Sequence, residues 1–418
     1  MKETKFKNTE IGRIPDDWEV RTINSFCSVK TGPFGSMLHA EDYVAKGTPI
    51  VTTEHFKNGI LPLVGKDIPQ VGIEDLKRMS SYTLTKDDIV FSRVGSVDIN
   101  ALVTVRQKGW LFSGRVLRVR PFKQTDSLYL HYGLLKHSVR SDIVSRAVGL
   151  TMASINTKIL GETELSLPPL NEQHSIASAL TSIDNLISSL GKLIEKKKNI
   201  KQGAMQQLLT GKIRLKEFNE PWVKRKLGDN ATIQRGGSPR PIEAYLTTNR
   251  DGINWIKIGD VRPNDKFIRH TVEKIIPEGI SHSRQVYKGD FILSNSMSFG
   301  RPYILDIDGC IHDGWLVIKD YSNTYDMDFL YYILSSNAIF EQYIAMAAGS
   351  SVKNLNKEKV ANVILFAPQS LAEQCAIATI LTKMDNEITA LEAKRAKYEA
   401  IKQGMMQQLL TGKLRLIS

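Results

Sequence analysis

The sequence contains few cysteines and no long apolar run. Its three cysteines, Cys27, Cys310 and Cys375, are isolated along 418 residues and form no CxxC pair. No apolar stretch approaches the roughly 18 residues that a membrane span needs, and the N-terminus has no signal-peptide pattern. We therefore expect a reduced, cytoplasmic chain that is neither secreted nor embedded in a membrane.

Patterns that build catalytic or cofactor sites are also missing. The Thr-Gly-Lys at 210–212 and 411–413 lacks the GxxxxGK[ST] spacing that cradles phosphates. No GxGxxG follows a strand pattern, no GxSxG occurs, and the eight histidines form no cluster of metal-ligand spacing. We expect no catalytic residues, cofactor or metal in this chain, although a site assembled from distant residues stays open.

Positive charge is in excess. Lysine and arginine number 56 against 44 aspartates and glutamates, which gives a net charge of +12 and a pI near 9.4. Such a surplus favours a polyanionic partner, because neutralising phosphates releases condensed counterions. The hydrophobic content of 42% and charged content of 24% are ordinary for a globular protein of two or three domains.

One segment occurs twice. KQGAMQQLLTGKIRL at 201–215 returns as KQGMMQQLLTGKLRL at 402–416, with 13 of 15 positions identical and an offset of 201. A match of this length indicates a tandem duplication of two large units. Each copy of the segment ends a region with helical periodicity.

The helical regions have the apolar spacing of a coiled coil. In the first, apolar residues step alternately by four and three positions: Ile176, Leu180, Ile183, Ile187, Leu190 and Ile194. The second seam lies 201 residues later: Ile377, Leu381, Met384, Ile388 and Leu391. Asn171 is a predicted N-cap, Ser370 and Glu373 fit a capping box, and Gly211 is a predicted helix stop. Each helix should be about 55–60 Å long.

The remaining sequence predicts two heads of α+β type. Strand-like runs at 48–56, 87–96 and 114–122 precede one helical pattern at 127–144. The outline returns with runs at 254–261, 289–300 and 313–320 and a helical pattern at 328–344. We assign heads to 1–166 and 216–367, and helical spacers to 167–215 and 368–418.

The order of head, helix, head and helix constrains the packing. Only about six residues separate the first helix from Trp222, so the second head follows the end of the first helix. The second helix needs an apolar partner, and the first helix is available only in the antiparallel sense. We predict an antiparallel coiled coil with a head at each end, a pseudo-two-fold axis, and a C-terminus near the first head.

Polar loops in the heads are candidates for contacts to nucleic acid. They combine glycine with small polar and basic side chains, which can approach phosphates and pair with base edges. The candidates in the first head are Lys30, Thr31, Ser36, Ser92, Arg93, Ser96, Thr151, Asn156 and Lys158. Those in the second are Arg235, Ser238, Arg240, Asn295, Ser296, Arg301, Ser350, Lys353 and Asn354. The alternative is that these are ordinary polar turns.

Surface positions on the helices also invite interpretation. Five lysines, at 192, 196, 197, 198 and 201, are interpreted as a solvated face, with phosphate contacts as the alternative. Gly203 and Gly404 occupy equivalent helical positions, where glycine costs about 1 kcal/mol relative to alanine. Retaining that cost twice indicates close helix approach or a kink within a partner surface. The partner candidates are Gly203, Gln206, Gln207, Gly404, Gln407 and Gln408.

The combination of motifs resembles a known family. Two divergent heads, helices with (N/A)EQ near the start and QQLLTGK(I/L)RL at the end resemble the specificity subunit of type I restriction-modification systems. The resemblance covers the whole chain, with Ala372 in place of the Asn of the first copy.

The resemblance implies a division of labour within a complex. Each head would be a target recognition domain for one half of a bipartite site in double-stranded DNA. The coiled coil would set the spacer and dock two modification subunits that methylate adenine. Restriction subunits would add translocation and cleavage. S-adenosylmethionine, ATP and magnesium would be bound by those partners.

Two alternatives remain open at this point. One is the specificity subunit of a related type II system with a fused nuclease-methylase. The other is a coiled-coil scaffold whose two heads bind proteins. Salt-dependent and sequence-dependent duplex binding would distinguish a DNA-recognition subunit from such a scaffold.

Overall fold

The computed structural model describes residues 4–33, 37–65, 67–149, 151–262, 265–295, 300–347 and 355–417. The chain forms two compact units, one comprising Met1–Gly191 with Lys394–Ser418 and the other Lys192–Ala393. Each unit combines one head with the beginning of one long helix and the end of the other. The predicted boundaries, which assign whole helices to separate domains, stay a prediction. No helix in these described ranges is long and apolar enough to cross a membrane.

The first head is built from short strands and helices. Its strands are β1 (Phe6–Thr9), β2 (Gly12–Pro15), β3 (Glu19–Thr22), β4 (Cys27–Thr31), β5 (Tyr43–Val44), β6 (Thr48–Val51), β7 (Gln70–Val71), β8 (Ile89–Ser92), β9 (Asn100–Leu102), β10 (Leu111–Phe112), β11 (Val116–Pro121) and β12 (Glu164–Leu167). Its helices are α1 (Ile23–Phe26), α2 (Ile73–Arg78), α3 (Ser127–Leu134), α4 (His137–Ser145) and α5 (Thr157–Gly161). Helix α6 (Leu170–Leu208) leaves this head. The strand-like runs of the sequence are confirmed as β6, β8 and β11.

The second head repeats this order. Its strands are β13 (Trp222–Lys226), β14 (Thr232–Arg235), β15 (Leu246–Thr247), β16 (Ile253–Ile256), β17 (Phe267–Ile268), β18 (Glu273–Ile275), β19 (Arg284–Val286), β20 (Phe291–Ser294), β21 (Pro302–Leu305), β22 (Gly309–Ile311), β23 (Trp315–Lys319) and β24 (Ile364–Pro368). Its helices are α7 (Met327–Leu334), α8 (Asn337–Ala347) and α9 (Lys357–Ala361), followed by α10 (Leu371–Leu409). The three predicted strand runs correspond to β16, β20 and β23.

The two heads share a sheet arrangement. One sheet of each head has the order β4-β11-β8-β9 or β14-β23-β20-β21-β17. A second sheet in each head contains one parallel pair, β6 with β10 and β16 with β22. Strands β8 and β20 are buried at every position, which explains their continuous apolar runs in place of alternation. The duplication seen in the helices therefore extends to the fold of the heads.

Each predicted helical pattern in the heads is two helices. Leu135 and Ser335 are C-caps, and the following helices begin at His137 and Asn337. The apolar spacing continues across each break, because apolar residues of both helices of a pair are buried in the same core cluster. Periodicity alone could not detect the interruption.

The helix-side core of each head includes the long helices. In the first unit, Ile176 and Leu180 of α6 and Leu409 of α10 are buried in the same cluster as Trp18. The residues 201 positions away are buried in the second unit: Ile377, Leu381 and Leu208. Each head therefore packs against the start of its own helix and the end of the other one.

The predicted coiled-coil seam is confirmed through the first two thirds of α6 and the first half of α10. Ile183, Leu190 and Ile194 of α6 are buried, and so is Ile388 of α10. Arg395, which occupies the seam position equivalent to Ile194, is exposed. Both helices contain 39 residues, as expected from two regions that align without a gap.

Ion pairs within each unit establish that the helices are antiparallel. In the first unit Lys402, late in α10, lies 2.6 Å from Asp184, early in α6. In the second unit Lys201, late in α6, lies 2.5 Å from Asp385, early in α10. In both units a residue late in one helix contacts a residue early in the other, which confirms the predicted antiparallel orientation.

A tyrosine from each head joins this ion pair. Tyr132 Oη donates to Asp184 Oδ2 at 2.7 Å, and Tyr332 Oη donates to Asp385 Oδ2 at 2.7 Å. Burial, together with the adjacent carboxylate, raises the pKa of both phenols. We call each Tyr–Asp–Lys group a mid-helix clamp, because it ties the head to both helices at once.

A second contact, which we call the head latch, seats the helix ends. In the first unit it comprises Glu172, Trp18 and Arg415. Trp18 Nε1 donates to Glu172 Oε2 at 3.0 Å, and Arg415 donates to both Glu172 oxygens at 2.7 Å. Arg415 also pairs with Asp17, at 2.7 Å for the closer contact. The predicted proximity of the C-terminal segment to the first head is thereby confirmed.

The second unit contains the same latch with Glu373, Trp222 and Arg214. Trp222 Nε1 donates to Glu373 Oε1 at 3.0 Å, and Arg214 donates to the two oxygens at 2.7 and 2.8 Å. Each Arg lies six residues beyond the end of the helix that arrives at the head, and each Glu belongs to the helix that leaves it. Every latch therefore joins the two copies of the duplication.

The neighbouring glutamine fastens the head helices. Gln173 Oε1 accepts from the backbone N–H of Asp126, at 2.9 Å, and its Nε2 donates to the Pro168 carbonyl. Gln374 makes the equivalent contacts to Asp326 and Pro368. Since Asp126 and Asp326 are the N-caps of α3 and α7, the EQ dipeptide orients the helices that cover each sheet.

The helix ends correct two sequence predictions. Helix α6 begins at Leu170, so Asn171 lies inside the first turn and is not the cap. Ser370 Oγ accepts from the Glu373 N–H at 3.4 Å, but the Glu373 side chain is held in the head latch, so the capping box is only half formed. Gly211 has φ of +69° after the end of α6, which confirms the predicted stop.

The lysine-rich stretch of α6 is not simply a solvated face. Lys197 lies 2.6 Å from Glu387, and Lys198 lies 2.7 Å from Glu392. Lys201 belongs to the mid-helix clamp. The interpretation as a solvated face is wrong for Lys197 and Lys201, which are half-buried against acidic residues of α10, whereas the exposed Lys198 agrees with it.

Removing a seam leucine should destabilise the protein strongly. Leu180→Ala should lower the free energy of unfolding by about 3 kcal/mol, because Leu180 is completely buried between head and helices. The control Leu186→Ala, on the same helix and 37% exposed, should cost less than about 1 kcal/mol. Urea denaturation followed by circular dichroism measures both, and equal losses would contradict the packing described.

Removing the arginine of a head latch should have a similar effect. Arg415→Met should lower the free energy of unfolding by about 3 kcal/mol, because it leaves the Glu172 carboxylate buried without its cation. Arg395→Met is the matched control, since Arg395 is 48% exposed and pairs with Glu399 one turn away on the same helix; it should change stability by less than about 0.5 kcal/mol. A loss no larger than the control's in urea denaturation would refute the role given to Arg415.

Candidate nucleic-acid interface

Three candidate loops of the first head meet at one turn. The turn is Ser113–Arg115, before β11. Gly32 N–H donates to the Val116 carbonyl at 3.1 Å, and Arg93 N–H donates to the Arg115 carbonyl at 3.0 Å. The Arg93 carbonyl in turn accepts from Ile155 at 2.9 Å. Backbone hydrogen bonds thus connect the loop after β4, the loop after β8 and the segment before α5.

The second head contains the same connections around His312–Gly314. Gly236 N–H donates to the Trp315 carbonyl at 2.9 Å, and Asn295 N–H donates to the Gly314 carbonyl at 3.1 Å. The Asn295 carbonyl accepts from Leu355 at 3.0 Å. We call this arrangement of three loops on a central turn the loop scaffold. It is common to both heads and uses backbone groups, so it tolerates different side chains.

The loop glycines serve the scaffold itself. A Cβ on Gly32 would lie 2.1 Å from the Ser113 carbonyl oxygen, and one on Gly236 would lie 2.0 Å from that of His312. Glycine is required at both positions because the loop crosses the central turn at close range. The interpretation of these glycines as a backbone approach for phosphate is replaced by this packing reason.

Two predicted contact residues are interior. Ser92 is 2% exposed; its hydroxyl donates to the Ser96 carbonyl and accepts from Ile99 N–H at 3.2 Å. Asn295 is 3% exposed, and its amide donates to the Asp313 carbonyl at 2.9 Å. Both predictions as DNA contacts are wrong, because these side chains hold the turns together and are shielded from a ligand.

Residues at the third loop have mixed roles. Asn156 caps α5 by accepting a hydrogen bond from Ile159 N–H at 2.8 Å. This capping role explains why an asparagine occupies the position without invoking a ligand. Thr151 and Lys158 are exposed, and Lys158 lies 4.0 Å from Glu162. Of the three, Thr151 and Lys158 remain available for contacts.

The other candidates of the first head lie around β4 and β8. Lys30 donates to the Ser81 carbonyl at 3.0 Å, and Thr31 pairs with Leu117 in the sheet; both are half-buried. Arg93 donates from Nη1 to the Gly114 carbonyl at 2.8 Å. Ser96 is exposed. The structure brings Thr31, Arg93 and Ser96 to the loop scaffold, whereas the Lys30 side chain points between the sheets.

In the second head the candidates converge on Asp313. Ser238 Oγ donates to Asp313 Oδ1 at 2.9 Å, and Arg235 Nε donates to the Asp313 carbonyl at 3.2 Å. Arg240 is 83% exposed and lies 3.7 Å from the carboxylate. Burial pushes the pKa of Asp313 upward, but hydrogen bonds from Ser238 and the backbone and the proximity of His312 outweigh it and lower the pKa. Arg301 is also exposed.

The sequence did not predict a role for the central turns. Arg115 of the first head is exposed, and Asp313 of the second organises the basic loop. Their turns carry Ser-Gly and Asp-Gly dipeptides, which mark turns between strands. That signal locates the turns, but only the three-dimensional structure shows that the candidate loops gather around them.

Some predicted contacts cannot be placed. Ser36, Ser296, Ser350, Lys353 and Asn354 lie outside the described residues. Among the residues that are described, no group of three or more His, Cys, Asp or Glu side chains is arranged to hold a metal ion.

The candidate partner residues are at the helix ends. Gln206, Gln207, Gln407 and Gln408 are exposed, so they are accessible from outside. Among the described residues, and apart from the backbone of the glycine's own helix, no atom lies within 4 Å of a Cβ built on Gly203 or Gly404. Close approach of the two helices of this chain is therefore not the reason for either glycine.

Comparison with known proteins agrees with this geometry. The family model described as "Type I restriction modification DNA specificity domain" matches the chain twice, over residues 15–202 and 219–403. Two relatives come from Methanocaldococcus jannaschii. The putative type I restriction enzyme MjaX specificity subunit is 29% identical, with 99% of this chain and 98% of the relative covered. The type I restriction enzyme MjaVIII specificity subunit is 27% identical, with coverage of 99% and 97%.

Solved structures show the same fold. The S subunit of a type I restriction-modification system from M. genitalium superposes with a TM-score of 0.58 at 17% identity, covering 94% of this chain and 96% of that one. A chain from a study of type I complex assembly and conformational transition gives 0.59 at 15% identity, with coverage of 96% and 99%. With two family-model matches spanning most of its length, the chain belongs to the family of type I restriction-modification DNA specificity subunits, the non-catalytic recognition components of those systems.

Proposed function

We propose that each head reads one half of a bipartite site in double-stranded DNA. The observation that carries this proposal is the loop scaffold, which has the same backbone hydrogen bonds in both heads but different side chains. The central turn is Ser-Gly-Arg in the first head and His-Asp-Gly in the second. Equal scaffolds with unequal side chains suit the reading of two different half-sites, since base edges are distinguished by side-chain donors and acceptors.

Exposed and half-buried polar and basic side chains around each scaffold are the proposed contacts. In the first head they are Thr31, Arg93, Ser96, Arg115, Thr151 and Lys158. In the second they are Arg235, Ser238, Arg240 and Arg301. Arginine can pair bidentately with guanine or with a phosphate. The net charge of +12 supports the phosphate share of this binding.

The helices are proposed to set the spacer and dock the partners. Their equal length of 39 residues supports a fixed separation. Leu193 and Ile200 of α6 are 38% and 46% exposed, seven residues apart and so on one helical face, and Ile401 of α10 is 40% exposed. Apolar side chains on the outside of a two-helix coil suit docking of two modification subunits, with the exposed glutamines as flanking contacts.

The catalytic work is assigned to those partners. Modification subunits would bind S-adenosylmethionine and methylate adenine, and restriction subunits would use ATP and magnesium. We propose that the complex acts in the cytoplasm, where the cell's DNA is accessible. The specificity subunit selects the DNA sequence and contributes no reacting group.

An exposed arginine of the second head should affect only one half-site. Arg240→Gln should weaken binding by about tenfold and relax the preference at one base pair of that half-site, as expected for loss of a bidentate contact. The control is Arg250→Gln, which removes an exposed arginine from a loop outside the scaffold. Duplexes randomised at each half-site, bound by the assembled complex, report the effect; an equal change in both half-sites would contradict the assignment.

Shortening both helices should shorten the recognised spacer. Deleting residues 189–195 and 390–396 removes one heptad from each helix and keeps the seam in phase. The lost rise of about 10 Å corresponds to about 3 base pairs. Methylation by the variant complex on duplexes with spacers of graded length measures the optimum. An optimum at the original length would eliminate the helices as the determinant of spacing.

A further inference from the structure

A group of cations lies between the two sheets of the first head. Lys30 on β4 stands directly opposite Arg118 on β11. Arg120 follows two residues later, and strand residues two apart share one face of the sheet. The three side chains therefore lie on the same face, at the edge of the sheet near Tyr82. This group is the cation cluster.

The cluster has more positive charge than nearby carboxylate. Asp88 is 1% exposed and receives two hydrogen bonds from Arg120, at 2.6 and 2.7 Å. Lys30 Nζ donates to the Ser81 carbonyl and lies 4.2 Å from the centre of the Tyr82 ring. Neither contact supplies an anion for Lys30.

Arg118 is the least satisfied member. It is 6% exposed, and its guanidinium lies 5.7 Å from the centre of the Phe112 ring. Its Nε is buried without a hydrogen-bond partner, and no carboxylate within salt-bridge distance of it is found in the described part of the chain. An unpaired buried cation is costly. Burial and the charge of Arg120 lower the pKa of Arg118 against the opposing effect of Asp88. Burial and the charges of Arg118 and Arg120 lower the pKa of Lys30.

The second head shows which part of this cluster the fold requires. Its equivalent of the Arg120–Asp88 pair is Lys319 with Asp290, at 3.3 Å. The positions equivalent to Lys30 and Arg118 are Gln234 and Val317, which face each other in the same register. The fold thus forms without the two extra cations. Lys30 and Arg118 are additions of the first head.

We propose that Lys30 and Arg118 form an anion site that takes one phosphate of the DNA backbone in the first head. A planar guanidinium with free donors beside an ammonium suits a phosphate oxygen. The site lies next to the loop scaffold, because Lys30 directly precedes Thr31 and Gly32, where β4 leads into one of the three scaffold loops. It rests on the proposed function, since it assigns a backbone contact to the same DNA-binding head.

The consequence is an asymmetry between the heads. The second head has no such pair at the equivalent positions, so this phosphate contact belongs to one half-site only. A phosphate contact positions the duplex without reading its sequence. The site therefore contributes to affinity and salt dependence, and leaves base preference to the exposed side chains of the scaffold.

The test replaces both residues by those of the second head. The variant combines Lys30→Gln with Arg118→Val, and the control is Lys108→Gln, an exposed lysine of the same head. Binding of the cognate duplex by the complex with its modification subunits is measured from low to high salt. The slope of log K against log salt should become less negative by about 0.9 in the double variant, the change expected for one lost phosphate. Base preference at both half-sites, and the slope of the control, should not change.

Several outcomes separate this site from the function on which it rests. An unchanged slope in a folded double variant would overturn the site while leaving the proposed function intact. Failure of the unaltered complex to bind duplex would overturn the proposed function and the site with it. Should the double variant fail to fold, Lys30→Gln alone must still reduce the slope, since Lys30 is half-buried and its replacement is polar.

A second measurement distinguishes a duplex phosphate from a free one. Inorganic phosphate is added to the full chain, and thermal denaturation is followed at constant ionic strength. A rise in Tm that is absent from the double variant, together with the reduced slope, supports the site. A rise in Tm with an unchanged slope would assign the site to a free anion and overturn the assignment to the DNA backbone.

Discussion

A buried carboxylate at the start of each long helix is the contact on which both units depend. Glu172 and Glu373 are at most 2% exposed, and each is neutralised by an arginine that arrives from the far end of the other helix. The same carboxylate also accepts a hydrogen bond from the indole N–H of Trp18 or Trp222. One side chain thus fixes the entry strand, the departing helix and the arriving helix end. Removing the arginine would leave the carboxylate buried without a compensating charge.

This constraint explains why the repeated segment kept its sequence. Within QQLLTGK(I/L)RL the two adjacent leucines are buried in the core of the head that the helix reaches, and the arginine enters the head latch. The lysine at the start of the full 15-residue repeat, Lys201 or Lys402, belongs to the mid-helix clamp with Asp385 or Asp184. Much of the near-identity between the copies follows from these internal contacts. The exposed glutamines are the part that remains for partners.

The heads are constrained in a different way. Their loops are held by backbone hydrogen bonds around a central turn, and those bonds do not depend on side-chain identity. Side chains could therefore diverge while the loops kept their places. The glycines at 32 and 236 are exceptions, because any larger residue would collide with the turn. A rigid frame with variable side chains is what the recognition of two different half-sites requires.

The sequence predicted the long-range order well and the local roles poorly. Regular Ile and Leu spacing, together with the short connection before Trp222, was enough for two antiparallel helices and a duplicated fold. The roles of Ser92, Asn295 and Arg415 were not predictable, because each depends on a partner brought near only by folding. A polar residue in a loop looks the same in sequence whether it faces a ligand or closes a turn. Arg118 was overlooked for the opposite reason, since a single cation within an apolar strand gives no pattern.

The most direct test of the central claim is methylation mapping across the DNA of a host that carries the complete complex. The account predicts methylated adenines in two different half-sites separated by a fixed spacer. Exchanging residues 216–367 for the corresponding head of another family member should change one half-site and preserve the other half-site and the spacer. A continuous recognition sequence, or a change in both half-sites after the exchange, would contradict the assignment of one head to each half.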